Sequence, residues 1–499
     1  MSDDTKKPRR RQGDPMPPVI RAKLGPKRRA GKPAGVEGSA AVAANVAASS
    51  PQVAPSPAGL TAREIAIDLV GAVLEKKRAF DDALGEAFSS AKGLALAPRD
   101  RGLARLIAAT VLRRKGGLDA LLAEFMERPL GDKHSDVQRI LLTAAAQMLY
   151  LDTPAHAAIN LAVAECRRNP ATARYDKLVN AVLRRVSLEG AARLADIDTI
   201  RLAIPDWLWA NWTAAYGEDE ARRIAQASLT EAPLDLSIKD PAAAGRWAAT
   251  LSGRLLGTGA VRLAAGGRVE EREGYADGAW WVQDAAAQLP AALFGPDLRG
   301  RRVADLCAAP GGKTAQLAAR GGEVTAVDLS QARLDRVGEN LERLGLAAEL
   351  VAADVAKWQP GAQFDAVLLD APCTATGTVR RHPDILHLKR PGDIAKLAQV
   401  QKPLLDAAAA LVAPGGTLVF CTCSLEKAEG SNLIESFLAR HPQFTRRPIA
   451  AGEAGIEAGW LTRHGDLRTF PYHTPAGGEP GTGMDGFYAA RMVRQPSAG

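Results

Sequence analysis

Apolar residues recur at helical spacing from Leu60 onward: Ile65, Leu69, Val73 and Leu74, then Leu103, Ile107 and Val111, then Ile140, Leu141, Met148 and Leu149. Positions three and four apart share one face of a helix, so residues 59–190 predict an all-helical domain of six or seven packed helices. Residues 196–275 form a short third region. Near its start stands PDWLWANWTAAYG, which predicts a helix begun by Pro205 and carrying Trp207, Leu208 and Trp212. These tryptophans could stack on bases, but aromatics at this spacing usually build a core. From 276 to 497 the pattern shifts to short β-rich runs (RVADLC, EVTAVD, AELVAAD, FDAVLLD and GTLVFCT) alternating with helix-like stretches near 313–320, 330–344, 393–412 and 426–440. Such alternation predicts a parallel, doubly wound α/β sheet.

Residues 1–58 fit neither pattern, being basic and then rich in Ala, Ser and Pro, with too few large apolar side chains to offset the entropy of ordering. They are expected to be a disordered tail. Eleven Lys or Arg there face four Asp or Glu, a net +7 of the chain's +8. Mobile cations gain affinity by displacing counterions from phosphates, so the tail suggests a polyanionic partner; a solubilising segment is the alternative. Over the whole chain, 46% hydrophobic and 24% charged residues suit two or three globular domains and argue against a disordered or fibrous protein. No apolar run reaches the roughly 18 residues of a membrane span, and no signal-peptide pattern follows the charged start. A cytoplasmic protein with reduced thiols is expected. The five cysteines make no paired metal-ligand spacing and are too few for a disulfide scaffold, so no metal is expected.

DLCAAPGGKT (Asp305 to Thr314) follows a predicted strand and opens a helix, so Gly311 and Gly312 allow a ligand to approach backbone at a helix N-terminus. A Walker A loop would need a Gly where Cys307 stands, which argues against nucleotide hydrolysis. Asp328, ending the next strand 17 residues after Gly311, is placed to accept hydrogen bonds from ribose hydroxyls. Asp305, Asp328, Asp354 and Asp370 fall at the ends of four successive strands. One such carboxylate can equally well serve as a helix cap; four in a row point to a nucleoside-containing ligand.

The fourth strand runs into DAPCTATGTVRRHPDI (Asp370 to Ile385) and the fifth into VFCTCSLEKAEGSN (Val419 to Asn432), so Asp370, Cys373 and Cys423 should meet at one sheet edge. Cys307 and Cys421 read as small buried hydrophobes. Cys373 and Cys423 lie just past strand ends beside Pro, Thr and Ser, unlike core sequence. Together, DLCAAPGGKT, VDLS, DAPCTATG and TCS resemble the motifs of the RNA cytosine-5 methyltransferases. RRHPDI and WVQDAAAQ (Trp281 to Gln288) resemble the bacterial 16S ribosomal RNA subgroup RsmB. PAHAAINLAVAE (Pro154 to Glu165) and LVNAVLRR (Leu178 to Arg185) are similar to the NusB-like RNA-binding domain fused to it. The resemblance covers roughly residues 60 to 495.

The resemblance implies an all-α NusB-like domain followed by an α/β class I, Rossmann-like S-adenosylmethionine methyltransferase domain. It makes residues 196–275 an RNA-positioning subdomain and the enzyme a monomer acting on RNA, 16S rRNA first. Cys307, Ala308, Ala309, Pro310, Gly311, Gly312, Lys313, Asp328, Asp354 and Asp370 would contact S-adenosylmethionine. Cys423 would be the nucleophile and Cys373 would assist release. Carbon 5 of cytosine is a poor nucleophile until a thiolate adds at carbon 6, which explains the need for a cysteine. Asp370 would hold the exocyclic amine, and Lys313 would add positive potential near the thiolate. Two departures stand out. Thr374 replaces the usual Ser after Pro-Cys, and Ala428, Glu429 and Gly430 stand where the family shows Glu-Glu-Asn, which leaves open the contact that Asn makes. Three competitors remain: a DNA-type enzyme, whose nucleophile would be Cys373, a transfer-RNA enzyme, and a catalytically idle RNA-binding or assembly factor.

Overall fold

A computed structural model describes residues 59–264 and 268–496. The basic tail expected at 1–58 lies outside the described residues. Helices Leu60–Leu74, Phe80–Ser89, Pro98–Glu124, Ser135–Tyr150, Ala155–Arg168 and Asp176–Ala195 build the N-terminal unit, with a four-residue helix Ala91–Leu94 between the second and third. Its core is the stripe read from the sequence: Ile65, Leu69, Val73, Ile107, Val111, Ile140 and Leu141 are all buried, with Leu74, Leu103, Met148 and Leu149 packed at its margin.

Pro205 caps the helix Asp206–Tyr216, where its fixed φ suits the entry to a helix. Leu208 and Trp212 are fully buried and Trp207 partly so, in a cluster with Val379, Ile385, Leu386 and Leu425 of the catalytic region. These tryptophans are thus core that joins two units. After the helix Glu218–Ser228 comes a small antiparallel sheet of β1 (Leu234–Ile238), β2 (Arg254–Leu255), β3 (Val261–Leu263) and β4 (Trp280–Val282), in the order β2-β3-β1-β4. This sheet runs past residue 275, the boundary expected from the sequence, because Trp280 is fully buried in the sheet's own core and its strand pairs with β1.

The large sheet contains β5 (Arg302–Leu306), β6 (Glu323–Asp328), β7 (Glu349–Ala352), β8 (Phe364–Asp370), β9 (Val412–Thr422), β10 (Phe444–Arg446), β11 (Leu467–Arg468) and β12 (Tyr488–Arg494). Its order is β10-β12-β9-β8-β5-β6-β7, with β11 also pairing β12. The five strands read from the sequence are parallel. The sheet as a whole is mixed, since β12 runs antiparallel to β9. Tyr488, Ala490 and Met492 go into the core on that strand, covering an edge that β9 would otherwise expose. Among the described residues no helix follows it, so the alternation that revealed the other strands was missing. The chain turns from β5 toward β6 and β7 on one side and toward β8 and β9 on the other. Between β5 and β8 lies the crevice where sheets of this kind bind ligands.

Candidate active site

The segment after β5 makes a sharp turn before the helix Gly312–Ala319 begins. Gly311 holds φ +97°, and a Cβ there would come within 2.9 Å of the Val337 side chain, so the position admits only glycine without strain. Asp328 anchors this turn: its Oδ2 accepts from the Ala309 N–H at 3.1 Å and its Oδ1 from the Ser330 N–H at 3.1 Å. Arg333 completes the tie by donating to the Ala309 carbonyl at 2.6 Å. The sequence reading assigned Asp328 only to a ligand, yet the carboxylate also shapes the loop. Asp354 lies two residues beyond β7 and accepts from Lys357 Nζ at 2.9 Å and the Ala356 N–H at 3.1 Å. Asp305 is completely buried on β5, and Thr314 donates to its Oδ2 at 2.6 Å. Burial, opposed by that bond, raises its pKa to about 7.

Parallel pairing of β8 with β9 sets Asp370 opposite Cys421 and so brings two distant loops together. Cys373 Sγ and Cys423 Sγ lie 3.5 Å apart. Lys313, from the start of its helix, donates to Asp370 Oδ2 at 2.7 Å and lies 5.1 Å from the Phe487 ring. Burial opposes its charge, but the Asp370 carboxylate and its hydrogen bond, together with Cys421 and Cys423, raise the pKa, so Lys313 is an ammonium. The buried Cys421 thiol donates to Asp370 Oδ1 at 3.4 Å. The pKa of Cys373 is pushed up by its hydrogen bond with Cys423 and by burial. Burial first, then the Asp370 charge, pushes Cys307 up to about 12, in keeping with an inert thiol.

Beneath both cysteine loops sits Glu429, fully buried. Its Oε1 accepts from the Thr374 N–H at 2.9 Å and from Gln401 Nε2 at 3.4 Å, while Oε2 accepts from the Thr374 hydroxyl and from Ser424 Oγ at 2.6 Å. Thr374 follows Cys373 and Ser424 follows Cys423, so one carboxylate ties the two loops. The hydroxyl kept at Thr374 is one of its ligands.

A cavity of about 1080 Å³ opens over this edge. Ala308, Pro310, Gly311, Gly312, Lys313, Asp370 and Cys423 line it, together with Trp281, Gln283, Arg381, His382, Lys389 and Lys396. Cys307, Ala309, Asp328, Asp354 and Cys373 do not. The sequence-predicted residues therefore divide into a group facing the cavity and a group holding or flanking the loops behind it.

Sequence comparison decides the family. Ribosomal RNA small subunit methyltransferase B of Pseudomonas syringae is 38% identical over 414 residues, covering 79% of this chain and 90% of that protein. The chain belongs to the RsmB/F methyltransferase family. The Vibrio vulnificus protein of the same name is 35% identical over 454 residues, 87% of this chain and 100% of that one. A profile described as 16S rRNA methyltransferase RsmB/F matches residues 296–493, and a NusB family profile matches residues 60–188. The crystal structure of PH0851 superposes with a TM-score of 0.67 over 88% of this chain and 99% of that one, at 22% identity, which shows a shared fold.

As a member of this family the chain is an S-adenosylmethionine-dependent methyltransferase, and the crevice fits that group. Leu329, next to Asp328 at the sheet edge, is 77% exposed, an apolar surface suited to a flat purine ring. Asp305 Oδ1 is buried with no hydrogen-bond partner among the described residues, an acceptor suited to an ammonium group. Sequence reasoning missed Leu329 and Glu429. Leu329 follows an acidic strand end and could have been suspected there. Glu429 looks like an ordinary helix-start acid, and only the approach of two loops 50 residues apart shows what it holds.

Proposed function

We propose that this methyltransferase acts on carbon 5 of a cytosine in RNA, the small-subunit ribosomal RNA named for its relatives, through a transient bond from Cys423 Sγ to carbon 6. The 3.5 Å approach of Cys373 to Cys423, beside the Lys313–Asp370 pair, carries the reading. S-adenosylmethionine would be held along Cys307 to Lys313 and at Asp328, Asp354 and Asp370, and would supply the electrophilic methyl group. Lys313 lends positive potential to the wall where the Cys423 thiolate forms. Asp370, with its orientation held by Lys313 and Cys421, accepts from the exocyclic amine and supports a proton on ring nitrogen 3. Attack at carbon 6 makes carbon 5 electron-rich enough to take the methyl group. Cys373 then assists the loss of the carbon 5 proton as Cys423 leaves. The base must leave its stack for both sulfurs to reach it, and the cavity over Cys423 offers the space.

In this reading the NusB-like helices bind RNA, the small β1–β4 sheet positions it, and the enzyme works as a cytoplasmic monomer without a metal. Gel electrophoresis under denaturing conditions tests the chemistry. Cys373→Ala should accumulate a protein–RNA adduct, and adding Cys423→Ala should abolish it. Should Cys423→Ala form the stable adduct instead, the roles are reversed and the mechanism is of the DNA type. Bisulfite sequencing of ribosomal and transfer RNA from a deletion strain tests the substrate.

A further inference from the structure

The run RRHPDI has no part in the steps above, yet it is held by several hydrogen bonds beside the cavity. Arg380 is buried and donates to the backbone carbonyls of Thr482, Glu231 and Pro471. Its own carbonyl accepts from Arg113 Nη2 at 2.6 Å. Asp384 Oδ2 accepts from the Phe80 N–H at 3.0 Å, and His387 Nε2 donates to the Leu112 carbonyl at 2.8 Å. These bonds fix the segment against the helical unit on one side and the C-terminal loop on the other.

Arg381 lies between these anchors and lines the same cavity as Cys423, Asp370 and Lys313. Its Nη2 pairs with the fully buried Asp485, whose backbone N–H donates to Asp284 Oδ1 at 3.1 Å. The side chain remains 35% accessible through its Nη end, while Nε is buried and has no partner among the described residues. A guanidinium carries five N–H donors in a rigid fork, so the bond to Asp485 aims the group and leaves donors over. Burial opposes its charge, but Asp485 and Asp284 together with the bond to Asp485 raise the pKa, so the group is a cation at working pH.

On the proposed reading, addition of Cys423 at carbon 6 moves an electron pair into the pyrimidine ring, toward nitrogen 3 and the 2-carbonyl oxygen. Asp370 answers at the nitrogen and amine side. Lys313 is already engaged by Asp370. Lys389 and Lys396 also line the cavity, but Arg381 is the one aimed by a bond to a buried carboxylate, and its remaining donors can meet an oxygen.

We propose that Arg381 is a substrate-binding residue, its free N–H groups binding an acceptor oxygen of the flipped-out pyrimidine nucleotide. That oxygen is the 2-carbonyl of the base or the phosphate 5′ to it. This inference rests on the cytosine reading. Wild-type methylation of the unmodified RNA, with its Cys423 adduct, tests that reading separately.

Single-turnover methyl transfer decides the matter, using a short RNA whose one reactive cytosine has been mapped by bisulfite sequencing. Two companions carry 2-thiocytidine at that position or a methylphosphonate 5′ to it. Arg381→Lys keeps a cation beside Asp485 and loses the fork. The double variant Arg381→Gln, Asp485→Asn removes both charges, so that no buried carboxylate is left alone. Both should slow the saturated rate on the order of 10²-fold, as loss of an oxyanion donor does, with cofactor affinity and thermal melting unchanged. The modified RNA that slows wild type but slows Arg381→Lys no further identifies the oxygen. A wild-type rate in Arg381→Lys, or the same response of wild type and variant to both modified RNAs, overturns the inference.

Discussion

Removing Glu429 should loosen both cysteine loops at once. In Glu429→Ala the Thr374 N–H loses its acceptor in a site with no water access, a cost of about 1–3 kcal/mol. The two hydroxyls recover part of their loss, because Thr374 Oγ1 and Ser424 Oγ already lie 3.1 Å apart. With the void left behind, the expected destabilisation is about 2–4 kcal/mol, read by urea denaturation. The kinetic effect should be larger in proportion. A misplacement of about 1 Å between reacting groups costs on the order of 10²-fold, and the 3.5 Å spacing of Cys373 and Cys423 depends on these loops. Glu429→Gln is the informative control. Burial raises the Glu429 pKa while the bonds from Ser424 and Thr374 act against the rise, so a neutral amide is a close substitute. Its oxygen can accept from Thr374 N–H, and its NH₂ can donate to a hydroxyl that turns to accept. Transfer of tritiated methyl under single-turnover conditions should fall about 10²-fold in the Ala variant and only a few-fold in the Gln variant. A wild-type rate in Glu429→Ala refutes the clamp; equal loss in both variants would mean that the charge matters and the bonding pattern does not.

Asp328→Ala should weaken S-adenosylmethionine binding by at least the roughly 1.5–3 kcal/mol of a charge-assisted bond, since the loop loses its anchor at Ala309 as well; unchanged calorimetric affinity in a folded variant would count against this. His387, buried at the junction with the helical unit, has its pKa lowered to about 4 by burial, opposed by its bond to the Leu112 carbonyl. The unfolded chain takes up a proton near pH 6.5 and the folded one does not, so stability present above pH 6.5 is lost as pH falls toward 4, by about 2 kcal/mol at pH 5. His387→Gln should remove that part of the pH dependence in urea titrations at pH 7 and pH 5, and an unaltered dependence would refute the assignment. Deleting residues 1–58 should flatten the salt dependence of RNA binding and leave the saturated turnover rate alone; an identical salt slope would make the tail a solubility segment.

What the sequence determined by itself was whatever a few neighbouring residues can encode. The 3.6-residue stripe through Ile65, Leu69, Ile107 and Ile140 marked the helical core, and alternating runs marked five parallel strands together with the order of their loops. The glycine turn at Gly311 and the acids at strand ends were equally legible, because a backbone conformation or a strand terminus leaves its trace within one short segment. Tertiary structure alone decided which of those segments meet. Pairing of β8 with β9 brings Cys373 to Cys423, and the return of β12, unannounced by any helix, sets Phe487 beside Lys313 and completes the sheet. Glu429 as a clamp, Asp328 as a loop anchor and Arg381 held by Asp485 from 104 positions away depend on the same long-range placement. A side chain's partner across such a separation is set by strand order and by the burial of whole faces, and no local pattern around either residue records it.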